Sequence, residues 1–291
     1  MKFEVSHRTT YRYRRPVVQS HHLVHLRPRQ LALQRVIHHS LLIDPAPAHR
    51  TEMTDTFGNA ATLLRIEDEH SEFVVHARST VEVTPPPIAD LGRTQPFVDG
   101  LSASPQPGGD LDPDILQFTC PSRHTPNSRA IETFARTSFP SGKPVLAGAM
   151  DLTTRIFREF KFDPAATDVS TPVPRVLEMK RGVCQDFAHL ALAALRSLAL
   201  PARYVSGYLM TRPPPGQVKL RGTDASHAWF SVWAPETGWV DFDPTNGIIP
   251  AGEHITVAYG RDYEDISPVS GVLLGGGDQT MTVAVDVEPV D

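Results

Sequence analysis

Cysteine is scarce in this 291-residue sequence, which contains only Cys120 and Cys184 and no CxxC spacing. Two isolated cysteines are too few for a disulfide framework, and they lack the paired spacing of a cysteine-based zinc site. Long apolar runs are also missing, since none approaches the roughly 20 residues that a membrane-spanning helix needs. Positive charge is not in excess, because 28 basic residues stand against 33 acidic ones, for a net charge of −5. Nucleic acid and membrane are therefore not expected as partners.

Apolar residues make up 40% of the chain and charged residues 21%, which is the composition of a globular protein rather than a disordered one. Residues 1–5 already alternate between polar and apolar as a strand does, which leaves no room for a signal peptide. With so few cysteines, we expect a reducing, cytoplasmic location in which a free thiol persists. No pattern in the sequence indicates an oligomeric state.

Regions of different pattern follow one another along the chain. Residues 1–84 carry the period-two alternation of strands and predict an N-terminal β domain. Pro, Gly, Ser and Asp dominate residues 85–113, which predicts a linker or a long surface loop. Residues 114–265 show helical spacing first and strand patterns afterwards, the order expected of an α+β domain. Residues 266–291 are predicted to form a C-terminal extension that contains a final strand.

Cys184 is the candidate nucleophile because a predicted helix begins at this residue and runs to about Leu198. At a helix start, the unpaired backbone N–H groups and the positive end of the dipole both stabilise a thiolate, which is the reactive form. A nucleophilic thiol also needs a base, and the base needs an orienting group. His227 and Asp243 supply those residue types in two predicted strands downstream. The predicted helix is apolar almost all round, so we expect it to be buried.

A turn sequence at residues 235–238 predicts the hairpin that would bring this base and this acid together. If Trp233 pairs with Trp239, then His227 and Asp243 become diagonal neighbours on one face, with Cα atoms roughly 7–8 Å apart. The other face of the hairpin is apolar and should pack against the predicted buried helix. A slip of one residue would put the base and the acid on opposite faces, so the site depends on this register.

Other residues compete for these roles. Asp241 lies on the same strand face as Asp243, but it lies one pair further from His227 in the assumed register, so Asp243 is preferred. Cys120 has no comparable neighbours and is predicted to be structural. The backbone N–H of Cys184 would be the first donor to an oxyanion. Three side chains are candidates for the second donor: Gln117, Tyr204 and Gln185.

Asp186 and His189 lie on the same predicted helix as Cys184 and could be imagined as metal ligands. No CxxC or HxxxH pattern accompanies them, so hydrogen bonding is the better interpretation. The sequence therefore predicts neither a metal nor another cofactor.

Four sequence blocks are similar to the bacterial transglutaminase-like superfamily and occur in the order of that family. They are GVCQDFA at 182–188, ARYVSGYL at 202–209, SHAW at 226–229 and DPTNG at 243–247. Residues 1–84 resemble the β-sandwich that precedes the core in many bacterial members, and residues 254–263 resemble the segment that follows the core. The resemblance implies an α+β protein, with an N-terminal β-sandwich followed by a papain-like core. It also implies Cys184 as nucleophile, His227 as base and Asp243 as orienting acid.

The resemblance further implies a thiol acyl-transfer enzyme that forms a thioester with a peptide or protein substrate. Animal cross-linking members typically need calcium, but the sequence has no acidic loop with the spacing of an oxygen-ligand site, so we expect no metal. Chemistry up to the thioester is the same whether water or an amine resolves it. Water, at its bulk concentration, outcompetes an amine for the thioester unless a site holds the amine and excludes solvent. Hydrolysis of a peptide, isopeptide or side-chain amide bond is therefore the first hypothesis. The alternatives are an amine-accepting transglutaminase and a non-catalytic peptide-binding module.

Overall fold

A computed structural model describes residues 1–87, 90–98, 112–210 and 226–290 of the chain. Most of the predicted linker therefore lies outside the described residues. The strands are β1 (Lys2–Val24), β2 (Gln34–Asp44), β3 (His49–Thr54), β4 (Ala60–Ile66), β5 (His70–Val83), β6 (Lys161–Phe162), β7 (Arg181–Gly182), β8 (Ala202–Leu209), β9 (Ser226–Ala234), β10 (Gly238–Phe242), β11 (His254–Gly260), β12 (Val269–Gly275) and β13 (Gln279–Val290). The α-helices are α1 (Pro113–Leu116), α2 (Arg129–Ser138), α3 (Val145–Glu159), α4 (Val173–Met179) and α5 (Cys184–Ser197).

The N-terminal strands form one curled, seven-stranded antiparallel sheet around the long strand β1. The first half of β1 pairs with β5 and β13, and its second half pairs with β4 and β12. Strands β2 and β3 then pair with β5 and β4. Regular pairing along β1 breaks between Arg12 and Val17, where its partner changes from β13 to β12. The sheet encloses a small apolar core of its own, which includes Val17, Leu64, Ile66, Phe73 and Val75.

The interruption coincides with residues that cannot continue a regular ladder. Pro16 has no N–H to donate, and Gly275, Gly276 and Gly277 all have positive φ angles, which favour glycine. The N–H of Gly276 donates to the carbonyl of Pro16 at 3.1 Å and so ties the two interruptions together. Residues 269–290, which fall within the predicted C-terminal extension, thus pair with β1 near the start of the chain, and the predicted final strand is present.

The second part of the chain consists of helices packed on a four-stranded antiparallel sheet with the order β10-β9-β8-β11. Helix α5 lies against one face of this sheet, and nearly all of its residues are buried, as predicted. Phe230, Val232 and Phe242 line the face that meets the helix. The apolar core continues into the curled sheet through Phe3 and Val285, so both sheets contribute to one core. The predicted α+β architecture is confirmed.

The register of the β9–β10 hairpin is the one predicted. Trp239 pairs with Trp233, and Asp241 pairs with Ser231. This pairing places Phe230 and Phe242 on the helix side of the sheet and leaves the alternate residues for the opposite side.

Two side-chain amides from the N-terminal region hold the outer edge of β11. Gln34 donates from Nε2 to the carbonyl of Thr256 at 2.7 Å and accepts from its N–H at 2.8 Å. Asn59 makes the same two-point contact with the backbone of Tyr259, at 2.7 and 2.8 Å. Each amide thereby takes the place of a neighbouring strand. Among the described residues, no helix is long and apolar enough to cross a membrane.

Candidate active site

Cys184 is the first residue of α5, as predicted, and its side chain is half-buried. The helix start is held by Asp186, whose carboxylate accepts the backbone N–H of Val183 at 2.8 Å and the hydroxyl of Thr167 at 2.6 Å. Gly182 leaves room for this carboxylate, since a Cβ there would lie 2.6 Å from Asp186 Oδ2. The N-terminal turn that carries the thiol is therefore well ordered by local contacts.

The structure brings all three predicted site residues together. His227, at the start of β9, places its Nε2 2.8 Å from Oδ2 of Asp243, just beyond the end of β10. The thiol of Cys184 lies close enough to the same ring that it helps to raise the pKa of His227. Because Nε2 is taken by Asp243, Nδ1 is the ring atom left for the thiol. The order of contacts is thus thiol, imidazole, carboxylate.

Asp243 is fully buried and accepts hydrogen bonds at both carboxylate oxygens. Oδ1 accepts the backbone N–H groups of Thr245 at 2.9 Å and Asn246 at 3.2 Å. Oδ2 accepts from His227, from Nδ2 of Asn246 at 2.7 Å, and from Nε2 of His254 at 3.0 Å. Burial alone would raise the pKa of Asp243, but the hydrogen bonds from His227 and His254 and the positive charge of His227 hold it well below its usual range.

The pKa of His227 is shifted in the opposite direction. Burial, the largest influence, lowers the pKa of the ring, but hydrogen bonds to Asp243 and Cys184 and the negative charges of both residues outweigh it. Together they raise the pKa of His227 from 6.5 to about 10. The ring is therefore protonated at neutral pH, so the group beside the thiol is an imidazolium.

Trp229 forms a wall behind the imidazole. Its indole stacks on the His227 ring, with centroids 5.9 Å apart, and its Nε1 donates to Oδ2 of Asp241 at 2.9 Å. Asp241, which competed with Asp243 in the sequence, therefore pairs with Trp229. Gly207 makes space for this wall, because a Cβ there would lie 2.6 Å from the indole and 2.1 Å from the carbonyl of Ile255.

Two groups at this site were not predicted. Asn246 follows Asp243 in a tight turn, and the Asp-Pro-Thr-Asn-Gly sequence could have indicated that the carboxylate accepts hydrogen bonds from within its own turn. His254 begins β11, on the far edge of the sheet, and no local pattern relates it to Asp243. Its side chain is buried, and its Nδ1 has no hydrogen-bond partner among the described residues.

The remaining candidates lie as follows. His189 accepts the backbone N–H of Tyr263 at 3.2 Å, which confirms hydrogen bonding for this residue. Cys120, predicted to be structural, is exposed. Gln117 is half-buried and donates to the carbonyl of Asp114 at 3.1 Å. Gln185 is half-buried next to the thiol in the chain.

Tyr204 is the oxyanion candidate whose hydroxyl is influenced by the charge of Cys184. It is fully buried, and burial together with the negative charge of Cys184 raises the pKa of its hydroxyl well above the usual value. The hydroxyl therefore stays protonated and can act as a hydrogen-bond donor.

By residue type, His227, Asp243 and His254 could also hold a metal ion. Two ligands about 2.1 Å from a tetrahedral ion would lie roughly 3.4 Å apart. The two imidazole nitrogens lie 2.8 and 3.0 Å from Oδ2 of Asp243, which are hydrogen-bond distances. This geometry fits hydrogen bonds better than a metal centre, and the absence of a cofactor stays a prediction.

Comparison with known proteins agrees with the geometry. Residues 3–82 match the family described as bacterial transglutaminase-like N-terminal region, and residues 132–244 match the transglutaminase-like superfamily. An uncharacterized protein of Mycobacterium tuberculosis is 37% identical and covers 100% of this chain and 93% of its own. A protein-glutamine gamma-glutamyltransferase of Pseudomonas aeruginosa is 27% identical over 45% of this chain and 20% of its own length.

A solved structure from Cytophaga hutchinsonii, whose description proposes a cysteine protease, has the same fold. Its TM-score is 0.77 at 23% identity, and the match covers 100% of this chain and 91% of that one. The chain belongs to the transglutaminase-like superfamily and carries the N-terminal region of its bacterial members. The papain-like fold predicted from the sequence is thereby confirmed.

Replacing Asp243 tests the origin of the His227 shift. Asp243→Asn removes a negative charge that raises the pKa of His227, while burial still lowers it. The pKa of His227 should therefore fall from about 10 toward or below 6.5. At a pH of about 8 the ring would then be mostly neutral, whereas in the native protein it is charged. NMR titration of labelled histidine measures this directly. Asp241→Asn is the matched control, and an equal shift in both variants would contradict the assignment.

Replacing His254 tests its contribution to the carboxylate. His254→Leu removes a donor to a buried charge, so the free energy of unfolding should fall by about 1.5–3 kcal/mol. The pKa of Asp243 should also rise, because one of the hydrogen bonds that lower it is gone. His254→Gln retains an N–H donor, so its free energy of unfolding and its Asp243 pKa should both lie between those of His254→Leu and of the native protein. Urea unfolding and NMR titration of Asp243 give the two readouts, and identical results for Leu and Gln would rule out the hydrogen bond as the cause.

Proposed function

We propose that this protein is a thiol acyl-transfer enzyme in which Cys184, His227 and Asp243 act as nucleophile, base and orienting acid. The observation that carries the proposal is the hydrogen bond between His227 and the buried carboxylate of Asp243, beside a thiol that acts on the pKa of the same imidazole. Membership of the transglutaminase-like superfamily supports cysteine-based acyl transfer in general. The assignment of roles rests on the geometry and on the residue chemistry.

In the first half of the reaction, the thiolate of Cys184 attacks the carbonyl carbon of an amide. A carbon–sulfur bond forms, and the carbonyl electrons move to the oxygen, which accepts a hydrogen bond from the backbone N–H of Cys184 at the helix start. We assign the second donor to the protonated hydroxyl of Tyr204. When the carbon–nitrogen bond breaks, His227 gives its proton to the departing amine, and a thioester remains.

The second half resolves the thioester. Water gives up a proton to His227 and its oxygen attacks the carbonyl carbon, which releases a carboxylic acid and regenerates the thiol. Water prevails at its bulk concentration unless a site holds an amine and excludes solvent. Hydrolysis of a peptide, isopeptide or side-chain amide is thus the preferred activity. A peptide or protein is the proposed substrate, and we propose a cytoplasmic location without a metal or cofactor.

Amine transfer is the second candidate, because the relative from Pseudomonas aeruginosa is a protein-glutamine gamma-glutamyltransferase. Its first half-reaction would be identical, so the same three residues would serve both. A non-catalytic peptide-binding module is the least favoured function, since peptide binding would not need a thiol, a charged imidazole and a buried carboxylate in contact.

A glutamine-containing peptide library, incubated with and without a tagged primary amine, separates these functions. We expect new peptide termini or released ammonia without the amine, and loss of both in Cys184→Ala. Cys120→Ala is the matched control and should react like the native protein. Mass spectrometry detects each product.

Incorporation of the tag without any product of the water reaction would contradict hydrolysis and establish amine transfer. Binding of peptides without any turnover, equal in the native protein and in Cys184→Ala, would contradict an enzyme of either kind.

A further inference from the structure

A cavity lies on the side of the four-stranded sheet opposite α5. It has a volume of about 560 Å³, within the range of small-molecule sites. Strands β8, β10 and β11 form its floor through residues that include Arg203, Asp241 and His254. Residues 31–34 and the end of β5 form the opposite wall. Neither Cys184 nor His227 lines this cavity.

The walls of the cavity are mainly apolar. The lining side chains contributed by the N-terminal region and by the loop after β10 include Leu31, Leu33, Val83, Pro86, Ile249 and Pro250. Apolar walls with a few convergent polar groups are typical of sites for small organic molecules.

Arg203 is the cation in this lining. Its guanidinium carbon lies 4.3 Å from the centroid of the Trp239 ring and 3.5 Å from that of Tyr259. Stacking on aromatic rings uses the flat face of a guanidinium and leaves its N–H edge for acceptors in the plane. Among the described residues, Arg203 has no hydrogen-bond or ion-pair partner, and its buried Nε is unpaired. The carboxylate of Asp241 in the same lining favours the charged form of Arg203 but makes no hydrogen bond to it. The N–H edge of this guanidinium is therefore left for an acceptor from outside the chain.

His254 is a second unpaired polar group in the lining. Only 4% of its side chain is exposed, and its Nε2 is engaged by Asp243. Its Nδ1 has no partner among the described residues. The residue therefore belongs both to the cavity and to the hydrogen bonds around Asp243.

We propose that this cavity binds a small molecule with an apolar body and one carboxylate, and that the carboxylate pairs with the N–H edge of Arg203. A carboxylate matches a guanidinium through two parallel hydrogen bonds. A phosphate fits less well, because it carries up to two negative charges while the lining offers one arginine and the carboxylate of Asp241. The site goes beyond the proposed function and does not depend on it, since none of its binding contacts involves the thiol.

Calorimetric titration of the full chain tests the site with three probe acids: 4-phenylbutyrate, indole-3-acetate and octanoate. At least one should bind at millimolar concentration or below. The matching primary amide should bind at least about tenfold more weakly, because it lacks the charge that pairs with the guanidinium. Failure of all three acids to bind, or equal affinity of acid and amide, would overturn the proposal.

Variants locate the site. Arg203→Met keeps an unbranched side chain without the charge and should weaken binding of the acid at least about tenfold, while leaving binding of the amide unchanged. Arg12→Met, at an exposed arginine of the curled sheet that does not line the cavity, is the matched control. Cys184→Ala should bind the acid like the native protein, so failure of the proposed enzyme function would not affect this result. Unaltered binding of the acid in Arg203→Met would overturn the proposal. If that variant does not fold, the difference in affinity between acid and amide in the native protein decides whether the proposal holds.

Discussion

The carboxylate of Asp243 has no contact with solvent, yet it stays ionised because five hydrogen bonds replace the water it has lost. Its charge in turn keeps the buried ring of His227 protonated. Leaving one member of such a buried pair without its partner costs about 3–5 kcal/mol. The ends of β9, β10 and β11 must therefore meet where they do, and Cys184 finds a charged imidazole beside it as a consequence.

The N-terminal sheet contributes to this arrangement through β11. That strand lies at the edge of its own sheet, and Gln34 and Asn59 hold its outer backbone by two-point contacts. His254 starts the same strand and donates to Asp243. The N-terminal region thus supports the candidate active site without supplying a side chain to it. It also forms one wall of the cavity that contains Arg203, so both sites depend on how the two sheets pack.

Much of the candidate site could be predicted because its signals are local. Cys184 precedes a helical pattern, and the turn between Trp233 and Trp239 determines which strand face carries His227 and Asp243. His254 could not be predicted in this way, since its contact with Asp243 depends on β11 lying at the far edge of the sheet. Pairing of residues 269–290 with β1 is a contact between distant parts of the chain, and two alternating strands do not reveal which strand they will join.

The most direct test of the account is the pH dependence of Cys184 alkylation by iodoacetamide, measured in Cys120→Ala because the thiol of Cys120 is exposed. At about pH 6 an unperturbed thiol is only roughly 0.3% ionised. We expect Cys184 to react far faster there than glutathione does, and we expect His227→Ala to remove the advantage. Alkylation of Cys184 no faster than that of glutathione at this pH would contradict an imidazolium-activated thiolate.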